Sequence, residues 1–301
     1  MKIILAGGTG LIGRELTAAL LADKHQVWVL SRNPQAASVP SGAQLAAWDA
    51  RTSAGWEHLV EEADAIFNLA GENLGAHPWT PAHKDKVLSS RANAGQAVVQ
   101  ALAAARHRPG VLVQASAIGY YGASDDRILD ESSPAGKDWQ ARVCQDWEAS
   151  TFEAERLGVR RVVVRTGLVL TKNGGVLPKL LLPFRLFAGG SLGSGKQYYS
   201  WITMQDEIRA LLFLLKNENT AAIFNLTAPN PVTQAEFGRD EAQVLARPYW
   251  FPTPAFAMRL ALGEMSTLVL DGQRVIPSRL SEAGFTFSHG QLKPALQTIL
   301  A

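Results

Sequence analysis

Three glycines carry the clearest chemical signal in this chain. Gly7, Gly10 and Gly13 punctuate the stretch Gly7-Gly8-Thr9-Gly10-Leu11-Ile12-Gly13. Gly8, Gly10 and Gly13 fit a G-x-G-x-x-G spacing, and Gly7, Gly10 and Gly13 fit its wider variant. Each glycine has a separate task. An early one permits a tight turn, Gly10 lets the backbone approach a pyrophosphate, and Gly13 lets the following helix pack on the preceding strand. A helix opening at Leu11 and Ile12, just past Thr9, offers free N–H groups and a positive dipole end to phosphate oxygens. A turn without a ligand can be spelled the same way, so its surroundings must decide. About 20 residues on, where NAD-specific sites place an acid against the ribose 2′-OH, this chain has Ser31-Arg32. A carboxylate would repel a 2′-phosphate, whereas arginine pairs with it and serine adds a hydrogen bond. The cofactor expected here is therefore NADP(H).

The elements needed to hold this turn are present on both sides of it. Ile3-Ile4-Leu5-Ala6 is a short buried strand, and Leu11, Ile12, Leu16, Ala19 and Leu20 recur at helical spacing. Further strands are expected at Gln26–Leu30, Gln44–Trp48, Asp64–Gly71, Val111–Ser116 and Arg161–Thr166. Helices are expected at Val87–Arg106 and Asp138–Leu157, with an irregular loop that includes a helical turn over His77–Lys86. This alternation predicts an α/β fold, a Rossmann-type doubly wound parallel sheet. Lys172–Gly195 then leaves the sheet. A strand over Tyr199–Ile202, a helix capped by Asp206 and a strand over Ile223–Thr227 return to it. Thr233-Gln234-Ala235-Glu236 is a capping box. Residues 1–170, completed by roughly 199–228, are expected to form the NADP-binding domain. Residues 171–198 and 229–301 are expected to form a smaller C-terminal substrate or cap lobe. Ligands of open α/β sheets lie beyond the carboxyl ends of the strands. Those ends are Gly7–Gly13, Ser31-Arg32, Asn68-Leu69-Ala70-Gly71-Glu72, Ala115-Ser116 through Gly122, and Thr166–Leu170.

Composition narrows the class. The chain has 301 residues and is 47% hydrophobic, enough for a large core. Its 29 basic and 27 acidic residues leave a charge of +2 without a basic stripe, which argues against nucleic acid as a partner. Cys144 is the single cysteine, so no disulfide forms within the chain. The first residues read as a strand rather than a leader peptide, and no apolar run is long enough to span a membrane. The six histidines are scattered, and no metal site is expected. The expectation is a cytoplasmic protein, monomer or homodimer, with a small-molecule substrate.

With these residues placed, the chain resembles the extended short-chain dehydrogenase/reductases. More closely it resembles their atypical "epimerase family protein" branch, a group of NADP-binding oxidoreductases with a distinctive C-terminal segment. The matching stretches are Gly7–Gly13, Asn68–Glu72, Ser116–Gly122, Val143–Glu148, Leu182–Arg185, Gly193–Gly195, Trp201-Ile202 and Gly272–Pro277. The larger family uses a serine or threonine, a tyrosine, and a lysine four residues after the tyrosine. Aligned on Tyr121-Gly122 and on Glu148, this chain places Ala117 at the serine, Gln140 at the tyrosine and Cys144 at the lysine. Gln140 cannot shuttle a proton as a phenol does, and Cys144 carries no positive charge.

Replacement candidates for that chemistry are Tyr120 or Tyr121 as an acid, Ser116 as a hydrogen-bond donor to a carbonyl, and Glu72 as a base. Each has a plainer alternative. The tyrosines can stack on the cofactor or pack the cleft wall, and Glu72 can cap or pair. Arg91 opens a helix beside the expected cleft, where related proteins carry an asparagine; otherwise it is a surface charge. Two functions follow from the resemblance and its departure. The first is an NADP(H)-dependent oxidoreductase or epimerase-like enzyme acting on a small polar substrate, with a sugar-like molecule as one candidate. The second is a catalytically silent NADP(H)-binding sensor or regulatory protein.

Overall fold

The computed structural model describes all 301 residues, Met1–Ala301. Seven parallel strands form the central sheet: β1 (Lys2–Ala6), β2 (Gln26–Ser31), β3 (Gln44–Ala47), β4 (Ala65–Asn68), β5 (Val111–Ala117), β6 (Arg160–Thr166) and β7 (Ile223–Leu226). Their order across the sheet is β7-β6-β5-β4-β1-β2-β3. The chain order reverses between β1 and β4, so a switch point opens where the glycine turn leaves β1.

Alternation within the strands builds two layers, because successive side chains of a strand point to opposite faces. Ile3, Leu5, Val27, Val29, Phe67 and Val113 face α1 (Leu11–Ala22), with Leu16 and Leu20 packed on them. Ile4, Ala6, Ile66 and Leu112 face the opposite side and meet Ala94, Ala97, Val98 and Ala101 of α2 (Pro81–Ala104). The helix α3 (Trp139–Ala149) packs beside α2. These two layers are the doubly wound arrangement expected from the sequence. A separate hydrophobic cluster lies apart from these two layers. It joins Leu177 and Leu181 of α4 (Leu177–Arg185), Phe237, and Leu292 and Leu296 around Tyr199 and Trp201. Two helices lie between and beyond these regions: α5 (Met204–Lys216), whose Leu211 and Leu214 join the first sheet layer, and α6 (Gln234–Leu245). Leu280 and Phe285, near the end of the chain, also join that sheet layer. No helix is long and apolar enough to cross a membrane.

Two expected boundaries move for local reasons. The long helix α2 begins at Pro81 rather than Val87, because Thr80 accepts the His83 N–H at 3.2 Å and proline fits the first helical position. The helical turn expected within His77–Lys86 is therefore the start of this helix, and the irregular part ends at Thr80. Asp206 does not cap α5. Thr203 does, accepting the Asp206 N–H at 3.1 Å, while the Asp206 carboxylate takes the N–H groups of Ser288 and His289, each at 2.9 Å. The Thr233–Glu236 capping box forms as read and opens α6.

Candidate functional site

The glycine turn is built so that side chains are excluded from it. Gly7 sits at φ +85°, and a Cβ there would lie 2.7 Å from the Leu69 carbonyl carbon. A Cβ at Gly13 would collide with the Gly7 carbonyl and stand 2.7 Å from the Gly8 Cα, so the start of α1 presses on the turn itself. Gly10 differs: its Cβ would meet the Gly7 carbonyl at 3.2 Å and nothing else nearby. Beyond that one close contact, the direction leads into the cleft. Gly10 is the N-cap of α1 and supplies no side-chain cap, so the helix start offers its N–H groups to a ligand.

A cleft runs along the carboxyl ends of the strands in two joined parts. The first is lined by Gly7, Gly10, Leu11, Ile12, Gly13, Leu69, Ala115 and Ser116 from the turn, β5 and the loop after β4. Of the residues expected to hold a cofactor, these eight come together. Ser31 and Arg32 stand at the end of β2, outside this lining. The Ser31 hydroxyl accepts the Asn33 N–H at 3.2 Å, and the Arg32 side chain is exposed. Thr9, Ala70 and Gly71 lie on the two flanking turns. Asn68 is fully buried and points inward, donating to Gln114 at 2.8 Å.

Trp147, Thr166, Gly167 and Leu168 border both parts of the cleft and join them. The second part adds Arg91, Ala117, Gln140 and Cys144 and, from later in the chain, Tyr198, Ser200, Thr267, Asp271 and Gln273. Arg91 donates to the carbonyls of Glu72 and Val87, both at 3.0 Å, and its guanidinium lies 4.7 Å from the centroid of the Trp147 ring. Its Nε is buried without a partner, and burial lowers its pKa. The Cys144 thiol is pushed up to about 12, chiefly by burial, so it is neither a thiolate nor a stand-in for a lysine charge. Burial, with Asp138 nearby, also raises the Asp271 pKa.

The expected proton-transfer candidates are held elsewhere. Residues Ile118–Tyr121 form a single tight turn after β5 that carries both tyrosines away from the cleft lining. The Tyr121 hydroxyl donates to Asn225 at 2.7 Å and accepts from Arg165 at 3.1 Å, and burial pushes its pKa up to about 12. The ring of Tyr120 covers the Arg165 guanidinium at 3.3 Å. Both phenols therefore contact the buried Arg165, and neither lines the two parts of the cleft. Ser116 lines the cleft, but its hydroxyl proton goes to Glu148 at 2.7 Å. Glu72 pairs with Lys86 at 3.1 Å and lies outside both parts of the cleft.

Glu207, Tyr198 and Asp271 line the cleft but were not among the expected site residues. Gly272–Pro277 belonged to the stretches that suggested the family, which was a usable signal for the cap side. Nothing local marked Glu207.

Comparison with known proteins follows this geometry. Residues 3–227 match the NAD dependent epimerase/dehydratase family, and residues 253–299 match a domain of unknown function, DUF1731. The chain is 39% identical to the epimerase family protein SDR39U1 homolog, chloroplastic, of Arabidopsis thaliana, covering 100% of this chain and 87% of that one. It is 35% identical to the epimerase family protein YfhF of Bacillus subtilis, covering 100% and 98%. The crystal structure of human epimerase family protein SDR39U1 with NADPH superposes with a TM-score of 0.87 at 33% identity, over 99% of each chain. UDP-glucose 4-epimerase of Thermotoga maritima shares the fold at a TM-score of 0.81 and 14% identity, over 100% of this chain and 97% of that one.

Proposed function

The chain belongs to the NAD dependent epimerase/dehydratase family, and we propose that it is an NADP(H)-dependent oxidoreductase or epimerase-like enzyme acting on a small polar, sugar-like substrate. The observation that carries this reading is the continuity of the cleft. Trp147, Thr166, Gly167 and Leu168 line both the glycine-cradle side of the cleft and a chamber ringed by polar groups. The Gly7–Gly13 cradle, which a Cβ would fill, and the uncapped start of α1 fit a pyrophosphate. Arg32, free and exposed at the end of β2, fits a 2′-phosphate. The human relative solved with NADPH supports that choice.

When bound, a nicotinamide cofactor supplies hydride transfer. The chain's own residues supply the rest. Arg91, with an unpartnered Nε beside the chamber, orients an oxygen of the substrate. Trp147 and Leu168 limit water at the junction of the two parts. Asp271, which lines the chamber and whose pKa burial raises, is the group assigned to hold and move a proton. The test is a screen of metabolite pools with purified protein and NADPH, followed by Asp271→Asn on whatever turns over. Loss of a general acid or base should cost about 10²–10⁴ in kcat while dinucleotide affinity stays unchanged. Wild-type rates in the mutant would remove Asp271 from the role.

Cofactor preference gives a separate prediction. Arg32→Ala should weaken NADPH binding by roughly tenfold or more, the worth of about 1.5–3 kcal/mol for a charge-assisted contact, and leave NADH binding unchanged. Calorimetry with both dinucleotides reads this directly. Equal affinities in the native protein, unaltered by the substitution, would contradict it.

A second reading has its own support: a protein that keeps the NADP(H) site without catalysis. Gln140 and Cys144 stand at the tyrosine and lysine positions, and the Ser116 proton is committed to Glu148. No turnover of any pool member, with NADPH bound tightly, would favour it.

A further inference from the structure

Glu207 lies in the first turn of α5 and lines the cofactor half of the cleft, where it is the one ionisable side chain. Only 1% of it is exposed. Its Oε1 accepts the Thr166 hydroxyl at 2.9 Å, while Oε2 is sealed from solvent and has no partner. A buried carboxyl oxygen without a partner is costly unless a ligand completes it. We propose that Glu207 faces the bound dinucleotide as a neutral carboxylic acid and donates a hydrogen bond to one of its oxygens, so that cofactor affinity depends on a proton held in the cleft. This rests on the reading that the Gly7–Gly13 cleft binds a nicotinamide dinucleotide.

The surroundings offer no counter-charge. On α1, packed against α5, the charged residues Arg14 and Glu15 are exposed. Lys172, on the loop that brings Gly175 and Val176 to the cleft, is exposed as well. Asp206, next to Glu207 on α5, is turned to Arg209, Ser288 and His289. The short strands Leu168–Leu170 and Trp201–Thr203 carry no ionisable group, and neither does β5. On the far side of Ser116, Arg165 and Glu148 satisfy each other. Burial alone therefore sets the acid, and it pushes the Glu207 carboxyl up to about 8. The proton is present at neutral pH. Once it is lost, a bare carboxylate confronts an anionic ligand.

The experiment is a pH series of dissociation constants for NADPH and for NADH on the full chain, read by nicotinamide fluorescence. Native affinity should hold steady to about pH 7.5, then weaken towards tenfold per pH unit, reaching roughly 30-fold by about pH 9.5. Glu207→Gln keeps an acceptor for Thr166 and an N–H donor for the ligand, so its profile should be flat. Glu207→Leu should bind weakly at every pH. NADH lacks the 2′-phosphate, so the same slope with both dinucleotides supports the assignment. A native profile flat over this range overturns it, as does a slope confined to NADPH or one that persists in Glu207→Gln. Because the native profile is decisive by itself, an unfolded variant does not block the test. Failure to bind either dinucleotide at any pH would defeat the cofactor reading as well, whereas tight binding without a slope defeats this inference alone.

Discussion

Gly10→Val should abolish dinucleotide binding while leaving the protein folded, and Gly13→Val should damage both. The two glycines sit three residues apart in one turn, but their missing side chains would go to different places. At Gly10 the added atoms point into the cleft, meeting only the Gly7 carbonyl at 3.2 Å. Gly10 also has an extended backbone, φ −77° and ψ 175°, which valine accepts without strain. The isopropyl group then occupies space that a pyrophosphate needs. An affinity loss of at least about 100-fold, near 3 kcal/mol, is expected, with a thermal midpoint close to native. At Gly13 the Cβ collides with the Gly7 carbonyl, and the Gly8 Cα is only 2.7 Å away. The turn would have to open and α1 would lift from β1, so stability should fall by the 1–3 kcal/mol typical of overpacking. Calorimetric titration with NADPH and thermal unfolding of both variants separate the effects. Normal NADPH binding by Gly10→Val would refute the cradle.

That contrast also marks what could be read from residue types. The turn, the strands and the two faces of the sheet were legible because their determinants are local: glycine spacing, and alternation such as Ile3 and Leu5 against Ile4 and Ala6. The departure at Gln140 and Cys144 was equally visible. The destination of Tyr120 and Tyr121 was not. The strand β5 ends in a single tight turn, and the rotation of that turn decides which way each phenol points. Arg165, some 44 residues later, claims the Tyr121 hydroxyl. Asp271 and Gln273 enter the site from the far end of the chain, so no nearby pattern marks them. Glu207 reads in sequence as an ordinary acid in a first helical turn, where the dipole favours it. Its burial comes from the sheet and cap closing around it. Asp206 is the same case reversed: an apparent helix cap that instead holds the Ser288–His289 backbone.

The buried pair Glu148–Arg165 gives the largest expected effect on stability, and it accounts for where Ser116, Tyr120 and Tyr121 are held. Arg165 on β6 is 1% exposed and meets Glu148 of α3 through two parallel bonds, Nε to Oε1 at 2.8 Å and Nη2 to Oε2 at 2.9 Å. Ser116 adds a bond to Oε1, Tyr121 accepts from Nη1, and the Tyr120 ring covers the guanidinium. Every polar atom of the pair that faces inward is thus engaged. Removing Glu148 alone strands a guanidinium in the interior, and breaking one side of a buried pair costs about 3–5 kcal/mol. Glu148→Leu should therefore lower the unfolding free energy by that amount, read as a lower denaturant midpoint. Arg165→Met alone should cost less than this, because Glu148 keeps the Ser116 hydroxyl and can take up a proton. The double variant Glu148→Leu, Arg165→Met replaces the pair with apolar groups and should recover much of the loss, since such swaps are often near neutral. The cycle also tests the role given to the tyrosines. If Tyr120 and Tyr121 exist to serve Arg165, then Tyr121→Phe should destabilise the native protein by about 1 kcal/mol and leave the Arg165→Met background nearly unchanged. Additive losses across the four proteins of that second cycle would show that the phenols act independently of Arg165.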